Sequence, residues 1–190
     1  PEWLFEYASA LDTLADYNDN EEFYVKAIEV LNHVLTLDPE YPDIHHQLAL
    51  VIGHYADLTE NEELFHRAIH HFRLAHTHAK DSDTIILDWA ITLINFTQSV
   101  DLSDEERAAC FSESEFKLIQ AAKLGNLHSY FHLACLYSIL NQLEKSIHFL
   151  EKSYTYGTLP SVQELTEDDW LENVRQTDFF HSFIVKVDES

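Results

Sequence analysis

Tyr24-Val25-Lys26-Ala27-Ile28-Glu29-Val30-Leu31, running on to Leu37-Asp38-Pro39, is the stretch that decides the fold. Ala27, Leu31 and Val34 fall at helical spacing on one face, and Pro39, which cannot continue a helix, ends the run. The same signature returns one interval later as Ala68 with Phe72 and Ala75, and again near the C-terminus as Ser146 with Leu150 and Ser153. Small residues at these places let two helices approach closely.

A second series precedes each of these. Ala8, Ala49 and Ala90 are evenly spaced, at the same interval that separates Ala27 from Ala68, and Ala134 follows after a slightly longer one. Each has apolar neighbours at helical spacing: Leu4, Tyr7 and Leu11; Leu48 and Ile52; Ile86, Trp89 and Leu93; Tyr130, Leu133 and Tyr137. The chain therefore reads as helix pairs repeated along its length, a pattern typical of solenoids.

Boundary residues agree. Asn18-Asp19-Asn20 precedes Glu21-Glu22-Phe23, Thr59 stands three before Glu62, Ser103 stands three before Glu106, and Gly125 and Gly157 sit where helices should end. Asp38-Pro39 and Tyr41-Pro42-Asp43 break the chain between the first two units. In the third unit Ala109 keeps the phase, although Glu113 falls where an apolar residue is expected.

These residues, with Leu133-Ala134, Tyr137, Leu143-Glu144-Lys145-Ser146-Ile147 and Leu150-Glu151-Lys152, resemble the tetratricopeptide repeat family. The resemblance implies an all-α, right-handed superhelical array of antiparallel helix pairs. It spans about four units, at 1–41, 42–82, 83–126 and 127–157, followed by capping helices over 158–190. In the first two units the small positions stand further apart (Ala8 to Ala27, Ala49 to Ala68) than in the last (Ala134 to Ser146). The difference is close to two helical turns, so the faces stay in phase. Armadillo and HEAT repeats have similar periods, and the ordinary length of the last unit favours the tetratricopeptide reading. After Gly157, Trp170, Phe179, Phe180, Phe183 and Ile184 among Asp168, Asp169 and Asp178 resemble the segment that closes some such arrays. Phe179 and Phe183 are expected to cover the last pair's apolar face.

Composition narrows function. Apolar residues at 46% exclude a disordered chain, and only 3 Gly and 4 Pro argue against a β-sandwich and against a phosphate-cradling loop. Against 34 Asp and Glu stand 11 Lys and Arg, a net charge of −23 that repels nucleic acid and anionic membrane surfaces. The 13 His would not reverse that sign even if all were charged. No signal peptide or membrane-length apolar run is present, and Cys110 and Cys135 form no paired framework, so a cytoplasmic, reducing setting is expected. The chain holds no Met, and Pro1-Glu2-Trp3 reads as a first helical turn, which suggests a piece of a longer protein.

His66 and His70, and His128 and His132, are spaced i, i+4, but zinc needs three or four ligands, and Arg67 stands where a metalloprotease would carry its base. Helix-surface histidines are the expectation, with no metal, no cofactor and no catalytic residues; Cys135 reads as a packing residue. A shared pH response of His45, His46, His70, His71, His76 and His78 is a weaker alternative.

The resemblance implies that first helices line a concave groove. Counted from the small residues, the inward positions are Phe5, Asp12, His46, Leu50, His54, Leu87, Ile91, Asn95, His128, Phe131 and Ile139, with Ser9 and Cys135 beside them. A partner protein's apolar peptide or helix with basic flanks suits such a face. The lysines with which relatives clamp an acidic C-terminus are missing; Phe5, Ser9 and His46 stand there. The expected function is a non-catalytic scaffold or adaptor. The alternatives are a chaperone of a secretion or assembly machine and an interaction domain joined to an enzyme in flanking sequence.

Overall fold

A computed structural model describes residues 1–189. Among them are eleven α-helices and one 3-10 turn. The first eight are α1 (Glu2–Asn18), α2 (Glu21–Leu37), α3 (Ile44–Thr59), α4 (Glu62–His78), α5 (Asp83–Ser99), α6 (Asp104–Leu124), α7 (Ser129–Ile139) and α8 (Leu143–Thr155). Consecutive helices pack as pairs, α1 with α2 through α7 with α8, and each second helix packs on the next first helix. The first four helices run 16 or 17 residues, while α7 and α8 have 11 and 13.

Local chemistry sets the ends. The Asn20 side chain accepts from the Glu22 amide at 2.9 Å to start α2, and Ser103 with Glu106 forms a reciprocal capping box at α6. Gly125 closes α6 at φ 108°, in the left-handed region that favours glycine. At α4 the cap is Asn61, accepting from the Leu64 amide at 3.1 Å, rather than the expected Thr59. Thr59 is instead the last residue of α3, its hydroxyl turned back to the Tyr55 carbonyl.

Ala8, Ala49, Ala90 and Ala134 are all fully buried, as are Ala27, Ala68 and Ser146. Where Ser146 meets α7, its hydroxyl donates to the Ala134 carbonyl at 2.8 Å, so the small residue also ties the crossing. Tyr7 departs from the pattern of its repeat: it is exposed where Leu48 and Trp89 are buried.

The third unit corrects the expected phase. Ala109 is exposed, and the buried positions of α6 are Ser114, Lys117, Leu118 and Ala121. Ser114 therefore takes the small-residue place, later in the chain than the register of Ala27 and Ala68 sets it. The reason lies in the burial of Lys117: its Nζ sits 3.0 Å from the centre of the Trp89 ring and 3.5 Å from Glu113 Oε1. A cation over an indole face and a carboxylate one turn away offset the desolvation of the amine. Glu113, out of place as a core residue, is in place as the partner of Lys117.

Beyond α8 come α9 (Val162–Glu167), the 3-10 turn Asp169–Leu171, α10 (Glu172–Arg175) and α11 (Asp178–Asp188). Leu165, Leu171, Val174, Phe180 and Phe183 form one buried cluster with Ala134, Cys135 and Leu150. Phe180 shares the burial with Phe183, whereas Phe179 is half-buried and stacks on Phe183 at 5.4 Å between ring centres. No helix among the described residues is long and apolar enough to cross a membrane.

Candidate functional site

The first helices of successive units touch, α1 on α3, α3 on α5 and α5 on α7. Their side chains meet at a fixed offset. His54 Nδ1 lies 3.0 Å from Asp12 Oδ1, and His46 Nε2 lies 2.8 Å from Asp88 Oδ2, each pair 42 positions apart. Ser99 donates to Asp57 at the same separation. Both histidines thus belong to α3, and their carboxylates belong to the neighbours on either side.

Phe5 is half-buried against Tyr41, with ring centres 5.3 Å apart. Leu50, Ile91, Asn95, Phe131 and Ile139 are half-buried, and His128 is exposed at the start of α7. Asp12 and Leu87 are buried; Leu87 belongs to a core cluster with Ile86, Leu118 and Leu133. Ser9 turns its hydroxyl to the Phe5 carbonyl, and Cys135 is fully buried, its Sγ 4.0 Å from Asp168. Both cysteines are free thiols, and burial pushes each above its ordinary pKa.

The reading from sequence missed Asp88 and the surroundings of His132. Asp88 holds His46, and only the recurrence of an Asp and a His at the same offset as Asp12 and His54 could have signalled it. His132 is enclosed beside Phe131 and Trp170, and its Nδ1 has no hydrogen-bond partner. Burial pushes its pKa from 6.5 down to about 4, with His128 adding to the effect and Asp88 opposing it. Burial, with His45, His70 and Arg67 nearby, also pushes His71 down to about 4; His45 Nδ1 lies 3.0 Å from His71 Nδ1. For His54, burial works downward, but the bond to Asp12 and the charges of Asp12, Asp16 and Asp57 outweigh it, so its pKa is raised.

A pH dependence of stability follows. His71 and His132 stay neutral when folded and regain an ordinary pKa when unfolded, so between pH 6.5 and about 4 the unfolded chain binds more protons. Each then lowers stability by about 1.4 kcal/mol per pH unit as the pH falls. His54 acts oppositely: its contribution is full below 6.5 and is lost as pH rises through its raised pKa. Urea unfolding at pH 6.5 and 5.0 is expected to show a smaller loss of stability in a His71→Gln, His132→Gln variant than in the parent. Equal losses would mean that neither ring is held neutral.

His66 lies 3.6 Å from Glu62 on its own helix, and His70 is exposed. Among the described residues no group of three or more His, Cys, Asp or Glu is arranged to hold a metal ion.

The arrangement defines a class: an all-α array of stacked helix pairs whose first helices share one face. The tetratricopeptide repeat family model matches residues 127–156, spanning α7 and α8. Over those 30 of the chain's 190 residues, α7 and α8 are similar to a tetratricopeptide repeat. Comparison with curated proteins and with solved structures gives no match.

Proposed function

We propose that the protein is a non-catalytic interaction module of four helix-pair units, 1–41, 42–82, 83–126 and 127–157, closed by the segment 158–190. It holds a peptide or helix of a partner protein on the face shared by α1, α3, α5 and α7, and works in a reducing, cytoplasmic setting. A tetratricopeptide repeat suggests protein partners in general. The observation that carries this reading is the pair of Asp–His rungs, Asp12–His54 and His46–Asp88, which tie α1, α3 and α5 side by side, while Leu50, Ile91, Asn95 and Phe131 on the first helices are half-buried. Apolar ground among carboxylates suits an apolar segment with basic flanks.

The test is affinity capture from extract with the intact chain, compared with a Leu50→Lys, Asn95→Arg variant. Leu87 is unsuitable because it packs in the core. A partner recovered with the parent and lost in the folded variant is the expected result. A partner retained by the variant places binding on another surface, and the absence of any partner sinks the reading.

A further inference from the structure

At two outward positions where the other second helices are polar, α6 is apolar. Counted from the buried small residues Ala27, Ala68, Ser114 and Ser146, Phe116 of α6 takes the place of Glu29, His70 and His148. Ile119 likewise takes the place of Asn32, Arg73 and Glu151. All of these positions are exposed, Phe116 at 67%. The repeat therefore does not require large apolar side chains there, and their presence on α6 marks an interaction surface.

The surface borders a cleft inside the array. Ile119, Ala122 and Lys123 of α6 line a cleft of about 330 Å³ together with Phe149 and Lys152 of α8. Tyr130 and Leu133 of α7 complete its lining. Tyr130 stacks on both Phe149 and Tyr156, with ring centres 6.2 and 5.4 Å away. Since α5 packs on α6 and α11 on α8, the cleft does not stand open for want of a neighbouring unit. None of the residues assigned to the face shared by the first helices lines it.

The lining holds two lysines and no Asp or Glu, in a chain of net charge −23. Lys152 Nζ lies over the Tyr130 ring, 4.3 Å from its centre. Lys26 and Lys117 have carboxylate partners, whereas Lys123 and Lys152 have none among the described residues. Of the neighbouring acids, Glu115 accepts from the Tyr137 hydroxyl and Glu151 lies outside the lining.

We propose that this cleft docks an amphipathic helix of a partner protein, its apolar stripe laid against Phe116, Ile119 and the Tyr130 and Phe149 rings, with Asp or Glu on its flanks meeting Lys123 and Lys152. From Phe116 to Lys123 the ridge of α6 runs for about two turns, roughly 10 Å, which apolar residues at i, i+3 and i+7 of the incoming helix would span. Charge selects the flanks: two ammonium groups without partners beside apolar ground favour carboxylates and disfavour a basic segment. An isologous dimer would gather the same lysines twice in one interface, with no carboxylate of the lining to meet them. The site adds a second docking surface to the one proposed above, and its partner has the opposite charge.

The probe is a labelled, alanine-based helical peptide with leucine at i, i+3 and i+7 and glutamate on both flanks of that stripe, titrated against the intact protein by fluorescence anisotropy. Salt near 0.15 M screens carboxylates farther than about 8 Å, so the local lysines decide the outcome. Saturable micromolar binding is expected, at least about tenfold weaker when lysine replaces glutamate in the peptide, and weakened as much by Phe116→His with Ile119→Asn. That variant carries residue types already present at these positions in α4 and α2. Lys123→Glu with Lys152→Glu should reverse the preference, so that the lysine peptide binds better; should it misfold by circular dichroism, Lys123→Glu alone, at an exposed position, is expected to narrow the gap between the two peptides. No binding of the glutamate peptide, equal binding of the lysine peptide to the parent, or binding indifferent to these variants overturns the proposal. A dimer in sedimentation that Phe116→His with Ile119→Asn dissolves assigns the cleft to a second copy and overturns it too. Leu50→Lys with Asn95→Arg should leave the peptide bound; its release by that variant alone would place it on the shared face of the first helices and overturn this assignment.

Discussion

Ala134→Trp is expected to unfold the C-terminal part of the array, with loss of helical circular dichroism and of amide protection in α7 to α11. Ala134 is fully buried, its carbonyl is held by Ser146, and Leu150, Leu165, Leu171 and Val174 share its cluster. An indole has no room at this crossing without separating α7 from α8. Overpacking by a few methylenes costs about 1–3 kcal/mol, and an indole adds far more volume than that. Against a total stability of about 5–15 kcal/mol the loss is large. Each unit contacts mainly its neighbours, so damage at the last pair should leave α1 to α4 protected. Hydrogen exchange followed along the chain separates the two halves. Unchanged melting and unchanged protection at α7 would refute the alignment of Ala134 with Ala8, Ala49 and Ala90.

Phe72→Ala is expected to cost about 3–5 kcal/mol, measured by urea denaturation. Phe72 is fully buried, stacks parallel to Trp89 and stands beside His46, with ring centres 6.1 Å apart in the His46 pair. It thereby connects α4 to α5 and backs the rung from His46 to Asp88. Removing the ring leaves a cavity between two units that rigid helices cannot easily close, which places the cost at the upper end for large-to-small changes. The same deletion takes away the support of Trp89, over which Lys117 is seated. The buried amine should then lose part of its compensation. A cost below about 1 kcal/mol would mean that the α4–α5 junction collapses onto the gap and is softer than its burial implies.

How much of this was legible from the chain can be judged at particular residues. The alanines at 8, 49, 90 and 134 showed themselves because helix crossings demand small side chains at fixed phase, and that demand is written locally once in every unit. The capping box at Ser103 and the break at Pro39 were equally local. The phase of α6 was not, because Ser114 is correct only in view of Lys117, which pairs with an indole on another helix. Sequence patterning counts a lysine as surface, and the error at Ala109 followed from that. Thr59 and Asn61 both satisfy a cap signature, and the left-handed turn at Glu60, φ 49°, decided between them.

By itself, the sequence determined the helical class, the repeat length and the small-residue crossings, since all three depend on neighbours within a few turns. Its acidic balance also set the kind of partner to expect. Tertiary structure alone decided which histidines are paired and which are buried neutral: His46 and His54 meet carboxylates on neighbouring first helices, while His132 is enclosed by α7 and the C-terminal segment. It likewise decided that Tyr7 and Leu14 lie open. Along the chain they look like Leu48 and Tyr55, and only the stacking of α2 on α3, with no counterpart over α1 among the described residues, separates a core position from an exposed one. The physical reason is the same in each case: burial and pairing are properties of helices brought together from different units, which no local periodicity encodes.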